Sequence, residues 1–216
     1  MSAAQVVKAF KQIMQWADGH PKAKAIRSSL RKPATAADVA AFEAKTKLRL
    51  PPGLAALYRL HDGQDEDAAN EGLDDSVEVG LFPSLEKHDL AFLLVPLKQL
   101  TRNTPTSPRA SRMPGFRLKW VPFGDNYGGD NIVLDLADTT PPKKRGRVLQ
   151  FNHEYGGATE LAASFEEYLE GIARDLAAKR IKWDDDAGLS YAKGKDWDDL
   201  INAGKVEYAE DVAEDA

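Results

Sequence analysis

The sequence predicts an α+β domain, with helices at the N-terminus, a central twisted and mainly antiparallel sheet, and a C-terminal helix packed on that sheet. Three observations predict it. Apolar residues recur at helical spacing near both ends of the 216-residue chain, and short apolar runs separated by turn-forming residues fill its middle. One of those turns, Asp125 to Asp130, has the composition of a tight hairpin loop. A hydrophobic content of 43% supplies enough apolar material for a packed core.

The elements follow in chain order. Val6, Phe10, Ile13, Met14 and Ala17 share one face, so residues 5–17 read as an amphipathic helix that Asp18-Gly19-His20-Pro21 stops. Thr35 followed three residues later by Asp38 is a capping-box-like start for a second helix, which carries Val39, Phe42 and Thr46. Pro52 suits the first turn of a third helix, where its missing N–H costs nothing. Leu54, Leu57 and Tyr58 give that helix its apolar face, and Gly63 is its expected stop.

Strands are expected near 77–82, 91–97, 117–124, 131–136 and 147–152. Residues 101–115 hold three prolines and few apolar side chains, so they read as a long, mobile connection between strands. Ser164 is placed to cap a last long helix in which Phe165, Tyr168, Leu169, Ile172, Ala173 and Leu176 form a core stripe. Three parts result: a helical extension over 1–34, the domain over 35–181, and an acidic extension over 182–216 with tryptophans at 183 and 197 and a frayed end.

The stretch from Trp120 to Asp135 is the most specific local signal. Gly128 and Gly129 are free to adopt positive φ, and Asp125, Asn126, Asp130 and Asn131 are short enough to bond the local backbone. Pro122 has no N–H to give a ladder, which places the first strand at a sheet edge or beside a bulge. The stretch fails as a calcium loop, because Tyr127 and Gly128 stand where alternating acids are needed, and no Lys-Ser or Lys-Thr follows to make a phosphate loop. A structural turn accounts for every residue in it; a functional surface remains the alternative.

Three blocks, in order, resemble the SUKH superfamily, known through fungal Smi/Knr cell-wall synthesis regulators and bacterial immunity proteins that neutralise toxins. The first runs from Thr35 through Phe42 to Leu50-Pro51-Pro52 and Tyr58, ending at His61-Asp62-Gly63. The second is the hairpin, with Trp120, Pro122, Asp125, Gly128, Gly129, Asp130 and Asp135 matching the family pattern. The third is Gly146-Arg-Val-Leu-Gln-Phe151 followed, after a gap, by Ser164-Phe165-Glu-Glu-Tyr168-Leu169. The resemblance implies the α+β fold described above and a non-catalytic, protein-binding role, with a cognate toxin as partner or, in the regulator branch, an intracellular scaffold's partner.

Composition excludes several chemistries. The chain has no cysteine, so disulfides, thiol nucleophiles and Cys-ligated zinc are ruled out. Neither a membrane-spanning run nor a signal-peptide core is present, which makes a cytoplasmic location the default expectation. His61-Asp62 lacks the second histidine and the distant aspartate of a metal phosphohydrolase site, and His153-Glu154 lacks a histidine four residues on. No catalytic residue, metal ligand or cofactor is therefore expected.

Charge is distributed unevenly about a net of −5: residues 1–60 carry eleven Lys or Arg against three acids, whereas residues 182–216 carry four against eleven. The basic part has no nucleic-acid motif and reads as solvated helix faces. The acidic run between Asp62 and Asp75 is the candidate binding element, read as a loop carrying Asp62, Asp65, Glu66, Asp67, Asp74 and Asp75. Its bland reading is a solvated linker. Its functional reading is a surface for a protein partner with a basic patch, since toxins that cut nucleic acid need cationic clefts that an acidic loop can steer toward and fill.

Overall fold

A computed structural model describes residues 3–70, 79–86, 89–107 and 113–208. Its helices are α1 (Ala3–Gly19), α2 (Lys24–Ser28), α3 (Ala36–Thr46), α4 (Pro52–Tyr58), α5 (Glu66–Asn70), α6 (Leu97–Asn103), α7 (Phe165–Ala177) and α8 (Trp197–Asn202). The strands are β1 (Ser84–Glu86), β2 (Leu93–Leu94), β3 (Trp120–Asp125), β4 (Asn131–Asp135), β5 (Val148–Asn152), β6 (Gly157–Ala162), β7 (Ile181–Asp184), β8 (Gly188–Lys195) and β9 (Val206–Tyr208).

The predicted α+β class holds. A six-stranded antiparallel sheet, in the order β2-β3-β4-β5-β6-β9, forms the centre, and a three-stranded sheet β1-β8-β7 lies beside it with β1 parallel to β8. The strand alternation sends Val121, Phe123, Ile132, Leu134 and Val148 to a large core shared with α1, α4 and α7. Trp120, Val133, Leu149, Phe151 and Ala158 go to the other face, where Phe116 closes a second, aromatic cluster. Period-two alternation thus makes two cores from one sheet.

Local signals explain the long elements. Thr35 accepts from the Asp38 N–H at 3.2 Å while Asp38 accepts from the Thr35 N–H at 2.8 Å, a complete capping box. Ser164 caps α7 by accepting from the Glu167 N–H at 3.2 Å. Helix α1 packs on α7 and α4 through Val6, Phe10, Ile13 and Met14, all buried. Pro122 sits next to a register shift in the β3–β4 ladder, the bulge its missing N–H predicts. Among the described residues no helix is long and apolar enough to cross a membrane.

Several expectations are corrected. Helix α4 ends at Tyr58, five residues short of Gly63. Gly63 instead takes φ +81° where an added Cβ would meet the Pro96 nitrogen at 2.6 Å, so glycine is demanded by close approach as well as by backbone. Of the expected strand over 77–82, residues 77–78 lie outside the described residues and the rest keeps one bridge, Phe82 to Phe92, with β1 beginning only beyond Pro83; the strand expected over 91–97 shrinks to β2 and that bridge, ahead of Pro96. The expected connection over 101–115 begins inside α6, and residues 108–112 lie outside the described residues.

The segment after residue 181 is built into both sheets. β7 and β8 make most of the smaller sheet, Trp197 is buried at the start of α8, and β9 pairs along β6. Glu207, expected in a frayed end, accepts two hydrogen bonds from Arg147 at 2.7 Å. Residues 209–216 lie outside the described residues.

Candidate functional site

The β3–β4 hairpin presents its loop toward two other loops, and short polar side chains fix the junction. Asp125 accepts from the Tyr127 N–H at 2.8 Å, and Asn126 Oδ1 accepts from the N–H groups of Gly128 and Asp130, both at 3.0 Å. Asx bonding of this kind replaces a backbone turn. The positive φ expected at Gly128 falls instead on Tyr127, at 54°, while Gly129 does take φ +111°. A Cβ on Gly129 would strike the His153 ring at 2.8 Å. Asp130 completes the junction: it accepts from the His153 N–H at 2.8 Å and pairs with His153 Nδ1 at 2.7 Å.

Two further carboxylates meet Asp130 there. One ligand oxygen each from Glu86, Asp89 and Asp130 lies within 4.8 Å of the others, making these the residues among those described that could hold a cation. Neutral donors line the rest. Asn152 and Gln150 donate to Glu86 Oε1 at 3.1 and 3.3 Å, and Ser84 donates to Asp89 at 2.7 Å. Burial pushes Glu86 up to about 7, with the charges of Asp89 and Asp130 adding to the shift. Burial also raises Asp89 and Asp125, and the neighbouring charges of Glu66 and Asp130 contribute to the rise at Asp125.

That last coupling joins the two elements singled out in the sequence. Glu66 and Asp67 are exposed in the first turn of α5, near enough for Glu66 to act on Asp125 of the hairpin. The other acids of the run divide differently. Asp62 accepts from the Leu97 N–H at 2.8 Å and so caps α6; Asp65 accepts from the Ala68 N–H at 3.3 Å, caps α5, and pairs with Arg31 at 3.4 Å. The run is therefore partly a helix with its caps, not the open loop expected. Asp74 and Asp75 lie outside the described residues.

The remaining motif residues hold the fold. Leu50 is buried beside Pro51, which is the N-cap of α4, and the Tyr58 hydroxyl donates to the Val95 carbonyl at 2.7 Å. Trp120 is buried in the second core with the Arg117 guanidinium 5.5 Å from its ring centre. Asp135 is fully buried and accepts from Thr140, the Ala137 N–H and Arg147 Nε, the last at 3.1 Å. Glu207 foremost, then Asp135 and Glu160, stabilise the Arg147 cation, and Arg147 in turn lowers Glu207.

Sequence reasoning missed Gln64, Glu86, Asp89, Gln150, Asn152 and His153. Gln64 is buried and uses its whole amide: it donates to Ser29 and Val79 and accepts from Leu81 and Leu94. Its place immediately after Gly63 was the available signal. The others come from β1, β5 and the loops that follow them, which only tertiary pairing brings together. His61 is also engaged structurally, with Nδ1 2.9 Å from the Arg31 carbonyl and its ring against Phe10.

Comparison with known proteins follows the same lines. Residues 33–171 match the SMI1 / KNR4 family (SUKH-1). The F-box protein SKIP16 of Arabidopsis thaliana is 38% identical over 44% of this chain and 21% of its own length. The cell wall biosynthesis/cell cycle regulator smi1 of Schizosaccharomyces pombe is 25% identical over 74% of this chain and 34% of its own length. A glucan synthesis regulatory protein of Neurospora crassa is 22% identical over 84% of this chain and 40% of its own length. The chain thus matches well under half the length of each of these relatives. The match covers most of the chain, including the helix-and-corner block, the hairpin and the start of α7, and on it the chain belongs to the SMI1/KNR4 family.

Proposed function

We propose that this chain is a non-catalytic protein-binding domain whose acidic face, built from α5 and the hairpin junction, receives a basic protein surface. One observation carries the reading: Glu66, Asp125, Asp130, Asp89 and Glu86 act on one another electrostatically, and none of the five forms an ion pair with Lys or Arg among the described residues. Like charges held together raise the energy of the free protein, and a cationic partner relieves that cost on binding. The partner proposed is a cognate bacterial toxin with a cationic cleft, such as a nuclease, neutralised by direct contact in the cytoplasm.

A second reading, an intracellular scaffold or regulatory protein, is favoured by the names of the relatives, a cell wall biosynthesis/cell cycle regulator and a glucan synthesis regulatory protein. Co-expression with the product of the adjacent gene separates the two. Tight binding together with rescue of growth from that product supports the immunity reading; binding to a non-toxic product supports the regulator. Rescue without any physical association would overturn both.

A further inference from the structure

The β6 edge of the central sheet is covered by a short strand from the far end of the chain. β9 is three residues long and ends the strand order on that side; it enters from beyond residues 33–171, the part that matches the family and that contains both β6 and Arg147. None of Val206, Glu207 and Tyr208 is fully buried, and none belongs to either hydrophobic core. β9 is therefore held by its ladder and by polar contacts, with little apolar burial to fix it.

The edge that receives it is shaped residue by residue. Gly157 pairs with Tyr208, Ala158 with Glu207 and Thr159 with Val206. Gly157 does not take positive φ, so its backbone makes no demand for glycine. Space does: an added Cβ would meet Val206 Cγ1 at 2.6 Å and the Tyr208 ring at 3.1 Å. The glycine is a notch over which an apolar and an aromatic side chain close.

Between those two side chains stands Glu207, and Arg147 donates to both of its carboxylate oxygens at 2.7 Å. A bidentate fork selects a carboxylate by geometry as well as by charge. Arg147 is 2% exposed and also bonds Asp135 and Glu160, which keep the fork aimed at the edge when Glu207 leaves. The backbone of the added strand is recognised too: Arg117 donates to the Tyr208 carbonyl at 2.5 Å, and Thr159 to the Lys205 carbonyl at 3.1 Å.

We propose that the β6 edge is a strand-addition site for an extended segment of a partner protein, with an apolar residue, a glutamate and an aromatic residue in succession, and that β9 occupies it as an autoinhibitory strap. Strand addition draws its affinity from main-chain hydrogen bonds and its specificity from side-chain sites such as the notch at Gly157 and the fork of Arg147. A strap in the same chain competes at an effective concentration on the order of millimolar, so the edge is closed until β9 is drawn away. The surface uses none of the acids of the acidic face and selects the opposite charge, so the two readings stand or fall separately.

NMR titration of the full chain with the peptide Asn-Ala-Gly-Lys-Val-Glu-Tyr, the sequence of residues 202–208, tests the proposal. Glu207→Ala removes the carboxylate that ties the strap and leaves the edge intact. The peptide should bind this variant about tenfold or more tightly than the wild type, shifting the amides of residues 157–159. A peptide with Lys in place of its Glu should bind the variant about tenfold or more weakly, and adding Gly157→Val to the variant should abolish binding by filling the notch. No shift at those amides in the Glu207→Ala protein would overturn the proposal. So would equal affinity of wild type and variant, or equal binding of the two peptides.

Hydrogen exchange on the unaltered chain gives a second reading that no folding defect can confound. The amides of residues 206–208 should exchange about tenfold or more faster than those of β4 and β5, through local opening of the strap. Exchange of β9 only with global unfolding would make it a fixed part of the sheet and overturn the proposal as well.

Discussion

The two ends of the β3–β4 hairpin carry acids in opposite circumstances. At the strand end, Asp135 is fully buried but meets Arg147, which extends the network to Glu160 at 3.2 Å and to Glu207 at 2.7 Å. At the loop end, Asp130 meets two more carboxylates, Glu86 and Asp89, and the groups compensating them are amides, a hydroxyl and His153. Charge is closed at one end and open at the other. A closed network ties β4, β5, β6 and β9 together and needs nothing from outside. An open one is held in place by neutral donors, at a cost in charge repulsion, and remains available to an external cationic group.

The largest expected effect lies at the closed end. Arg147→Met should destabilise the protein by about 3–5 kcal/mol, because it leaves the buried Asp135 without its countercharge and removes the tie that holds Glu207, and with it β9, to Arg147. Urea midpoints measure the loss, and faster amide exchange at 206–208 locates it. Retention of wild-type stability would show that the two ends are energetically alike. Replacing Arg147 and Asp135 together by apolar residues should recover much of the loss, as expected when a buried pair is removed whole.

How much of this contrast was legible in the sequence depends on length and on locality. Long elements with their own signals were readable: α1 from its apolar face, α3 from Thr35 and Asp38, α7 from Ser164, and the hairpin from its turn. Helices of five to seven residues, such as α2, α5, α6 and α8, span under two turns and give too little periodicity to detect. β9 is three residues long and depends on β6 and Arg147, partners that stand about fifty and sixty positions earlier. The site was half legible. Asp130 and Asp135 were singled out with identical weight, yet their environments differ because Arg147 and Glu86 arrive from distant segments, and no local pattern distinguishes them.

The hairpin loop provides a finer test. Gly129→Val should cost roughly 1–3 kcal/mol, since a β-branched residue is strained at φ +111° and its Cβ would strike the His153 ring that Asp130 holds. Gly128→Val should cost less than about 1 kcal/mol: its φ is negative and a Cβ meets only Asn126 Oδ1, at 3.4 Å. The two adjacent glycines are therefore unequal. Equal losses in denaturant melts would mean that the junction with His153 contributes nothing to the loop.

Titration separates the two ends more gently. Burial raises Glu86 from 4.5 to about 7, so the folded state holds a proton that the unfolded chain gives up earlier. The resulting stabilisation is complete below about 4.5 and is lost as pH rises toward about 7. Asp89, raised for the same reason, acts in the same direction, and Asp130 and His153 face the pair from the other loops. Stability of the wild type should fall across this window, and Glu86→Gln should flatten the fall because its side chain stays neutral throughout. A Glu86→Gln profile parallel to that of the wild type would sink the assignment.

The smallest effect on the fold is expected where the open end reaches solvent, and there the effect on binding should be clearest. Glu66 and Asp67 are exposed, and neither makes an ion pair among the described residues, so Glu66→Gln with Asp67→Asn should leave the urea midpoint unchanged. The same pair should slow association with a cationic partner, because exposed acids steer an encounter more than they hold a complex. Steering fades with salt as the Debye length shrinks from about 10 Å at 0.1 M to about 3 Å at 1 M. The wild type should therefore lose association rate steeply over that range, while the neutralised protein starts slower and loses little. Asp62→Asn and Asp65→Asn should behave differently. Both residues cap helices, so their replacement should lower stability modestly, by about 1 kcal/mol or less, since asparagine also caps. Stopped-flow rates on the adjacent gene's product measure the steering. Equal rates and equal salt slopes for the wild type and the Glu66, Asp67 variant would reduce α5 to a solvated helix and leave the open charge at Glu86, Asp89 and Asp130 without an approach path from that side.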